Sequence, residues 1–363
     1  MMDCKRTVLA VAASLLALAG GARADTVDFN TFVQSSGLLA TEGNTATIAF
    51  NFAGNKFVGS VYYGANNNQL YSTNLSGTGL AQYGQPIPGA GGEVVLGSSL
   101  GQGGFGTGNI YAGSQNNGQI YLVPASGAPL LFATVPVGGV RQIFFDPGSS
   151  FGGNMIVTTS SGNIYTVTSA GHVTLLTSVG EDTEGLDIAT SAWGTYAGDL
   201  LVSSEGSGTL RLINPSGHID KTLTGFAGAE TVSFVPISLD VSNPLQGFYV
   251  ANYSSNIQFA AASNFAGLQG DAVVTDEFGG STMWDLHYDS GTDTFSQTAF
   301  TFTGNQISQF EDGIFVTPQR IADTNVPEPG TLPLAAVALL GIATAARRRF
   351  RADARAPRDA TQP

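Results

Sequence analysis

The sequence predicts an all-β fold, and three features of the chain support this. Residues 139–179 and 184–225 share one pattern, in which four short apolar runs are separated by Gly, Ser, Asn and Pro and the copies begin about 45 residues apart. Within the run Thr209–Asn214, Leu210 and Leu212 face one way and the residues between them the other. The turn sequences Ser-Glu-Gly-Ser-Gly and Pro-Ser-Gly separate these runs. Four antiparallel strands that repeat every 40–50 residues or so are typical of a β-propeller blade.

The repeat predicts a single propeller over residues 56–318, with six blades favoured over five. The second blade is predicted as four strands: Glu93–Leu96, Asn109–Ser114, Gln119–Val123 and Pro129–Thr134. After Gly225 the repeat loosens. Either a truncated blade makes six, or Pro244–Ala262 is a hairpin inserted into the last of five.

The first and last runs predict how the ring closes. Lys56–Tyr63 starts a first blade without an innermost strand of the expected form, and Phe310–Pro318 reads as an innermost strand that no other strand follows. We therefore expect Gly313–Val316 to pair with Phe57–Tyr62 in the first blade. Such pairing of the C-terminal strand would close the ring and leave no open sheet edge.

The N-terminal residues predict a secretory signal helix that is removed from the mature chain. Lys5 and Arg6 give a positive start, Val8–Ala19 is apolar, and Ala22–Ala24 is a small-x-small cleavage site. Export of such a chain involves the Sec translocon and signal peptidase.

Three features follow one another near the C-terminus. They are the motif Val326, Pro327, Glu328 and Pro329, the uncharged run Thr331–Ala346, and the cluster Arg347, Arg348 and Arg349. As a transmembrane helix the run would span roughly 24 Å, which is short for a bilayer core, and the arginines set the cytoplasmic side. This order resembles the PEP-CTERM sorting signal of exopolysaccharide-producing Gram-negative bacteria. The resemblance implies an exosortase-type membrane protease as partner and a transient inner-membrane anchor before release to the envelope or the medium; a plain tail anchor is the alternative.

The predicted organisation has six parts. They are a signal peptide (1–24), an N-terminal entry segment (25–55), the propeller (56–318), a linker with the Pro-Glu-Pro motif (319–330), a transmembrane helix (331–346) and a basic cytoplasmic tail (347–363).

The charge of the chain excludes one class of partner. Residues 25–328 hold five basic and 24 acidic side chains, a formal net charge of −19. This field repels nucleic acid and anionic lipid and attracts cations. Cys4, the single cysteine, lies in the signal segment, so the mature chain is expected to contain no disulfide and no cysteine metal site.

Blade-like segments also carry short shared sequences. Such a segment begins with Gly-Leu-x-Ile or Ile-Phe-Phe-Asp-Pro. The sequences Gly-Asn-x-x-Val and Ile-Tyr-x-Val then follow in that order. Over most of residues 56–318 this resembles the NHL, gluconolactonase and strictosidine-synthase propellers. Gluconolactonase-type enzymes hold a metal at the channel mouth with carboxylates and an Asn, so the resemblance leaves open a divalent-metal-dependent lactonase or esterase-like hydrolase.

Carboxylates recur at matching positions of the predicted blades. Glu93, Glu184, Glu230 and Glu311 open innermost strands, Arg141 takes that position in one blade, and Glu205 and Glu277 follow second strands. Loops of these two kinds open on one face of a propeller, and Ca²⁺ favours carboxylate and carbonyl oxygens. The six glutamates therefore predict a Ca²⁺ or other divalent-metal site, with Asn252 as the nearest neutral ligand. The alternative is that each Glu caps backbone amides or pairs with Arg141.

No nucleophile, zinc or phosphate-loop motif is present, so we assign no catalytic residue and no further cofactor. The predicted function is an exported, C-terminally sorted propeller that acts as a binding or matrix component of the cell envelope or exopolysaccharide layer, rather than an enzyme. A second alternative is a polysaccharide-binding protein in which Trp193, Trp284 and exposed tyrosines stack on sugar rings.

Overall fold

A computed structural model describes residues 26–63, 66 and 68–317 of the 363-residue chain. The predicted signal segment, the Pro-Glu-Pro motif, the helix 331–346 and the basic tail lie outside the described residues. Among the described residues, no helix has both the length and the apolar character needed to cross a membrane.

The described part of the chain contains twenty-five strands, one α-helix and three short 3₁₀-helices. The first half contains β1 (Thr26–Val33), α1 (Ser35–Glu42), β2 (Thr47–Ala53), β3 (Lys56–Val61), β4 (Leu70–Asn74), β5 (Ala81–Tyr83), β6 (Val94–Ser98), β7 (Ile110–Ser114), β8 (Asn117–Val123), β9 (Leu130–Thr134), β10 (Val140–Phe145), β11 (Met155–Thr159), β12 (Asn163–Val167) and β13 (Val173–Ser178). The second half contains β14 (Leu186–Ile188), β15 (Leu200–Ser204), β16 (Thr209–Ile213), β17 (Ile219–Thr224), β18 (Ala229–Phe234), β19 (Gly247–Asn252), β20 (Asn256–Ala261), β21 (Ala272–Asp276), β22 (Met283–Asp289), β23 (Thr294–Ala299), β24 (Thr301–Gly304) and β25 (Phe310–Val316).

The strands form six sheets, which confirms the prediction of a six-bladed propeller. Their strand orders are β2-β3-β4-β5, β6-β7-β8-β9, β10-β11-β12-β13, β14-β15-β16-β17, β18-β21-β22-β23 and β24-β1-β20-β19-β25. The first five sheets are antiparallel four-stranded blades; in the fourth, Leu186 lies opposite Val202 and Ile188 opposite Leu200.

The sixth blade corrects the predicted ring closure. β25 neighbours β19 in this blade, and not β3 of the first blade as the sequence suggested. The reason is that β2 already occupies the end of the first sheet next to β3, so that position is filled. The hairpin β19–β20 interrupts the fifth blade between β18 and β21, and it builds the sixth blade with β1, which pairs in parallel with β24. The sheets therefore begin at Thr26, earlier than the predicted start at residue 56.

The connection between the first and second strands of a blade recurs, as the sequence predicted. The backbone N–H at its last residue donates to the carbonyl three residues earlier in each of four copies: Asn109 to Gly106, Asn154 to Phe151, Asp199 to Tyr196 and Asp271 to Leu268. Each copy thus ends in the same turn, and this turn leads directly into the second strand of the blade.

The chain divides into two compact units. The first contains the residues up to Phe32, Glu184–Tyr253 and Ile257–Phe315, and the second contains Val33–Thr183 and Ser254–Asn256. In the first unit, Phe248, Phe265 and Phe315 lie in one apolar cluster, and Trp193 and Phe234 lie in another. In the second unit, Phe105, Tyr111, Phe132 and Phe145 form an aromatic cluster with centroid distances of 4.9–6.0 Å.

Candidate metal centre

Three of the predicted glutamates come together in the first unit. Glu184 precedes β14, Glu205 follows β15, and Glu230 is the second residue of β18. One carboxylate oxygen from each lies within 4.8 Å of the others. Two oxygens that bind one Ca²⁺ at its usual 2.3–2.6 Å are separated by no more than about 5 Å, so this spacing fits a single shared ion.

A backbone contact between the fourth and fifth blades, and another within the fourth blade, bring these carboxylates together. The N–H of Gly185 donates to the carbonyl of Glu230 over 2.9 Å, and the N–H of Glu184 donates to the carbonyl of Ser203 over 3.1 Å. Oγ of Ser203 lies 3.2 Å from the carbonyl oxygen of Gly185 and 3.0 Å from that of Glu230. A Cβ at Gly185 would lie 2.5 Å from the carbonyl oxygen of Glu230, so the two strands approach closely only because residue 185 is glycine.

The glutamate cluster is largely shielded from water. Glu230 is 4% exposed and Glu184 is 9% exposed. Close carboxylates in such surroundings repel one another unless a cation or a proton intervenes. Arg211 lies at this end of the blade, because its Nη1 donates to Oγ of Ser204, the residue before Glu205, over 2.9 Å. The arrangement offers a divalent cation three carboxylate oxygen donors.

Glu277 and Glu311 lie outside this group of three and share an amide. Nε2 of Gln309 lies 2.5 Å from Oε1 of Glu277 and 2.9 Å from Oε1 of Glu311, donating to both. The sequence pattern did not indicate Gln309, because it lies one residue before β25 and repeats in no other blade. A neutral donor therefore bridges two of the predicted metal ligands.

Glu93 belongs to an ion-pair network in the second unit. Nη1 of Arg141 lies 2.7 Å from Oε2 of Glu93, and Nε of Arg141 lies 3.1 Å from Oδ1 of Asp182. The Arg141 side chain is 7% exposed. Pairing of a predicted Glu with Arg141 was the alternative to metal binding, and Asp182 is a second partner that the sequence pattern missed.

Asn252, the predicted neutral ligand, holds the loop that leads to β25. Its Oδ1 accepts hydrogen bonds from the backbone N–H of Ser308 over 2.9 Å and from Oγ of Ser308 over 2.7 Å. This side chain therefore positions the start of the C-terminal strand.

The two tryptophans predicted to stack on sugar rings lie in different surroundings from each other. Trp193 is 1% exposed and packs edge-on against Phe234 at 4.8 Å. It is a core residue, so its assignment to a sugar surface was wrong. Trp284 is half-buried and donates from Nε1 to Oδ2 of Asp276 over 2.7 Å.

Residues 325–349 match the family model of the PEP-CTERM protein-sorting motif. No curated protein sequence is significantly similar to the chain. The match places the sorting motif nine residues after Val316, the last residue of β25. The chain is therefore an exported propeller protein with a PEP-CTERM motif, which is associated with processing by the membrane protease exosortase.

Several solved structures are similar to the chain at low sequence identity. A streptogramin B lyase has 13% identity and a TM-score of 0.46, with 75% of this chain and 72% of that chain covered. A calcium-binding regucalcin from Agrobacterium tumefaciens has 14% identity and a TM-score of 0.45, with 78% and 81% covered. A putative 6-phosphogluconolactonase from Bacteroides uniformis has 13% identity and a TM-score of 0.45, with 77% and 78% covered. Similarity at this level concerns the fold, and one fold hosts many functions.

Proposed function

We propose that the exported propeller is retained in the cell envelope or the exopolysaccharide layer, where it acts as a binding or matrix component. The observation that carries this proposal is the sorting motif at residues 325–349, which directs an exported chain to a membrane protease before its final placement. A six-bladed propeller built from Gly-, Ser- and Asn-rich loops supplies a stable body that offers many neutral hydrogen-bonding groups.

The charge distribution supports a neutral polymer as the bound material. Between Lys56 and Arg141 the chain contains one charged residue, Glu93, and this stretch forms most of the first blade and all of the second. Glu93 is itself paired with Arg141. Amide and hydroxyl groups on such a surface bind sugar hydroxyls without the cost of removing water from an ion.

The sorting step is testable with one double variant. Replacing Pro327 and Pro329 with Ala removes the motif but keeps the apolar run and the arginines. In a host that has the protease, wild-type protein is expected in the envelope and extracellular polysaccharide fractions, and the variant is expected to stay full-length in the inner membrane. Immunoblots of the fractions give the answer, with a Pro236→Ala/Pro244→Ala variant as control for the loss of two prolines. Normal release of the Pro327/Pro329 variant would contradict the proposal.

A second candidate function is the binding of a divalent cation by Glu184, Glu205 and Glu230. The observation that favours it is the mutual approach of their carboxylate oxygens to within 4.8 Å. The alternative of a metal-dependent lactonase or esterase-like hydrolase needs the same site. An ion held here would tie the fourth blade to the fifth and cancel part of the local negative charge.

Calcium is expected to stabilise the protein against heat. Binding to the native state alone adds about 2.7 kcal/mol at a hundredfold excess over Kd. Thermal unfolding with and without millimolar Ca²⁺ measures this shift. The Glu184→Gln/Glu230→Gln variant should lose it, and the Glu277→Gln/Glu311→Gln variant, which removes the same charge where Gln309 bridges the pair, should keep it. Equal shifts in both variants would exclude the site and remove the case for a metal-dependent enzyme.

A further inference from the structure

Connections of the first two blades form one continuous surface in the second unit, which we call the amide surface. It consists of residues 62, 63, 66 and 68 between β3 and β4, residues 85–92 between β5 and β6, and residues 115–117 where β7 turns into β8. The N–H of Ile87 donates to the carbonyl of Asn68 over 2.9 Å. Nδ2 of Asn117 donates to the carbonyl of Gly89 over 3.1 Å. The middle connection therefore joins the other two.

The amide surface is rich in side-chain amides and contains no charged residue. Its amides are those of Asn66, Asn68, Gln85, Gln115, Asn116 and Asn117. Gln85 and Asn116 are exposed. The nearest charge along the chain is Glu93, which is paired with Arg141. An amide both donates and accepts hydrogen bonds, so it can bind hydroxyl groups, which do the same.

Two glycines set the position of the amides at the turn between β7 and β8. A Cβ at Gly91 would lie 2.7 Å from Nδ2 of Asn116, and a Cβ at Gly92 would lie 2.7 Å from Oε1 of Gln115. Oγ of Ser114 donates to the carbonyl of Gly91 over 2.7 Å and fixes this approach. A larger residue at either position would push the amides away, so the glycines allow them to lie against the middle connection.

Tyr63 adds an exposed aromatic ring, and its backbone conformation is unusual. Its φ is 66°, in the left-handed region that bulky residues rarely adopt, and it is 55% exposed. Neighbouring side chains of an extended strand point to opposite faces. The ring centroids of Tyr62 and Tyr63 are nevertheless 3.7 Å apart, because the backbone turns at Tyr63. Glycine would adopt this φ without strain, so a tyrosine here indicates a role for its ring.

We propose that the amide surface binds a neutral polysaccharide, with the Tyr63 ring stacked on a sugar ring and Asn116 hydrogen-bonded to sugar hydroxyls. This inference rests on the binding role in the proposed function and assigns that role to one surface. A sugar ring has an apolar face of C–H groups and a rim of hydroxyls, which match an aromatic ring beside amides. The surface offers no cation to an acidic polymer and no carboxylate to a basic one, so a neutral polymer fits it best.

Biolayer interferometry of the exported protein tests this inference. The immobilised probe is the extracellular polysaccharide of the bacterium that makes the protein, divided by anion exchange into a neutral and an acidic fraction. We expect the protein to bind the neutral fraction. The binding should be unchanged in about 1 M NaCl, where charges are screened beyond about 3 Å, because the amide surface contains no charged residue.

Two variants test the named contacts. Tyr63→Gly should weaken binding about tenfold or more, as the loss of a central aromatic anchor commonly does. Its midpoint of thermal unfolding should not fall, because glycine adopts a φ of 66° without strain. Asn116→Ala should weaken binding roughly fivefold, the value of about one hydrogen bond. As a control, Phe278→Ala removes a ring that is 54% exposed from the first unit, and it should bind like the wild type.

The outcomes separate this inference from the proposed function. Binding to the neutral fraction that either Tyr63→Gly or Asn116→Ala leaves unchanged contradicts the inference alone. Binding to the acidic fraction only also overturns the inference, and it leaves a binding role in the envelope in place. A wild-type protein that binds neither fraction contradicts both the inference and the binding role in the proposed function.

Discussion

Replacing Arg141 with Met is expected to destabilise the protein by about 1.5–3 kcal/mol, the range for losing hydrogen bonds to charged groups when the carboxylates left behind are partly exposed. Its guanidinium is 7% exposed and reaches Oε2 of Glu93 at 2.7 Å and Oδ1 of Asp182 at 3.1 Å. Methionine fills a similar volume but leaves both carboxylates without this cation. Urea unfolding of the exported protein at pH 7 measures the loss.

A double variant provides the control for this prediction. In Arg141→Met/Glu93→Gln the carboxylate nearest to the guanidinium is neutral, so part of the lost stability should return. A loss below about 1 kcal/mol, the range of exposed ion pairs, would show that the network contributes little to stability.

The blade pattern was predictable because each blade repeats one arrangement of strands and turns. β6–β9 lie within two residues of the four strands predicted for the second blade, and the turn at Asp199 recurs at Asn109 and Asn154. β2 was harder to recognise, since six of its seven residues are buried. A strand buried on both faces shows no alternation, and its sequence therefore does not reveal its place in a sheet. Mistaking its role led directly to the wrong partner for β25.

The candidate metal centre was predictable to the extent that it follows the repeat. When the blades are aligned, Glu184 and Glu230 occupy the same position, at the start of an innermost strand, and Glu205 follows a second strand. One alignment of the blades therefore indicates all three residues. Asp182 and Gln309 hold no repeated position, and only the folded chain shows that they contact the predicted glutamates. Partners of this kind depend on side chains from different connections, which a periodic pattern does not encode.

Above pH 7, replacing Glu42 with Gln is expected to stabilise the protein by about 2–3 kcal/mol, at about 1.4 kcal/mol per pKa unit. Glu42 ends α1 and is fully buried, and neither carboxylate oxygen has a hydrogen-bond partner among the described residues. Oη of Tyr71, also buried, has none either. Burial raises the pKa of Glu42 from its usual 4.5 to about 7. The negative end of the helix dipole also disfavours a charged carboxylate in the last turn.

The direction of the pH dependence follows from this raised pKa. The native state favours the protonated carboxyl, so the stability from Glu42 is fully present below about pH 4.5 and is lost as the pH rises to about 7. Gln cannot ionise, so the variant should lack this loss. Urea unfolding from pH 5 to 8 tests this, with the half-buried Glu181→Gln as a control that removes one charge elsewhere in the second unit. If Glu42→Gln keeps the wild-type fall in stability between pH 5 and 8, the carboxyl of Glu42 is ionised in the native state at acidic pH and the prediction is wrong.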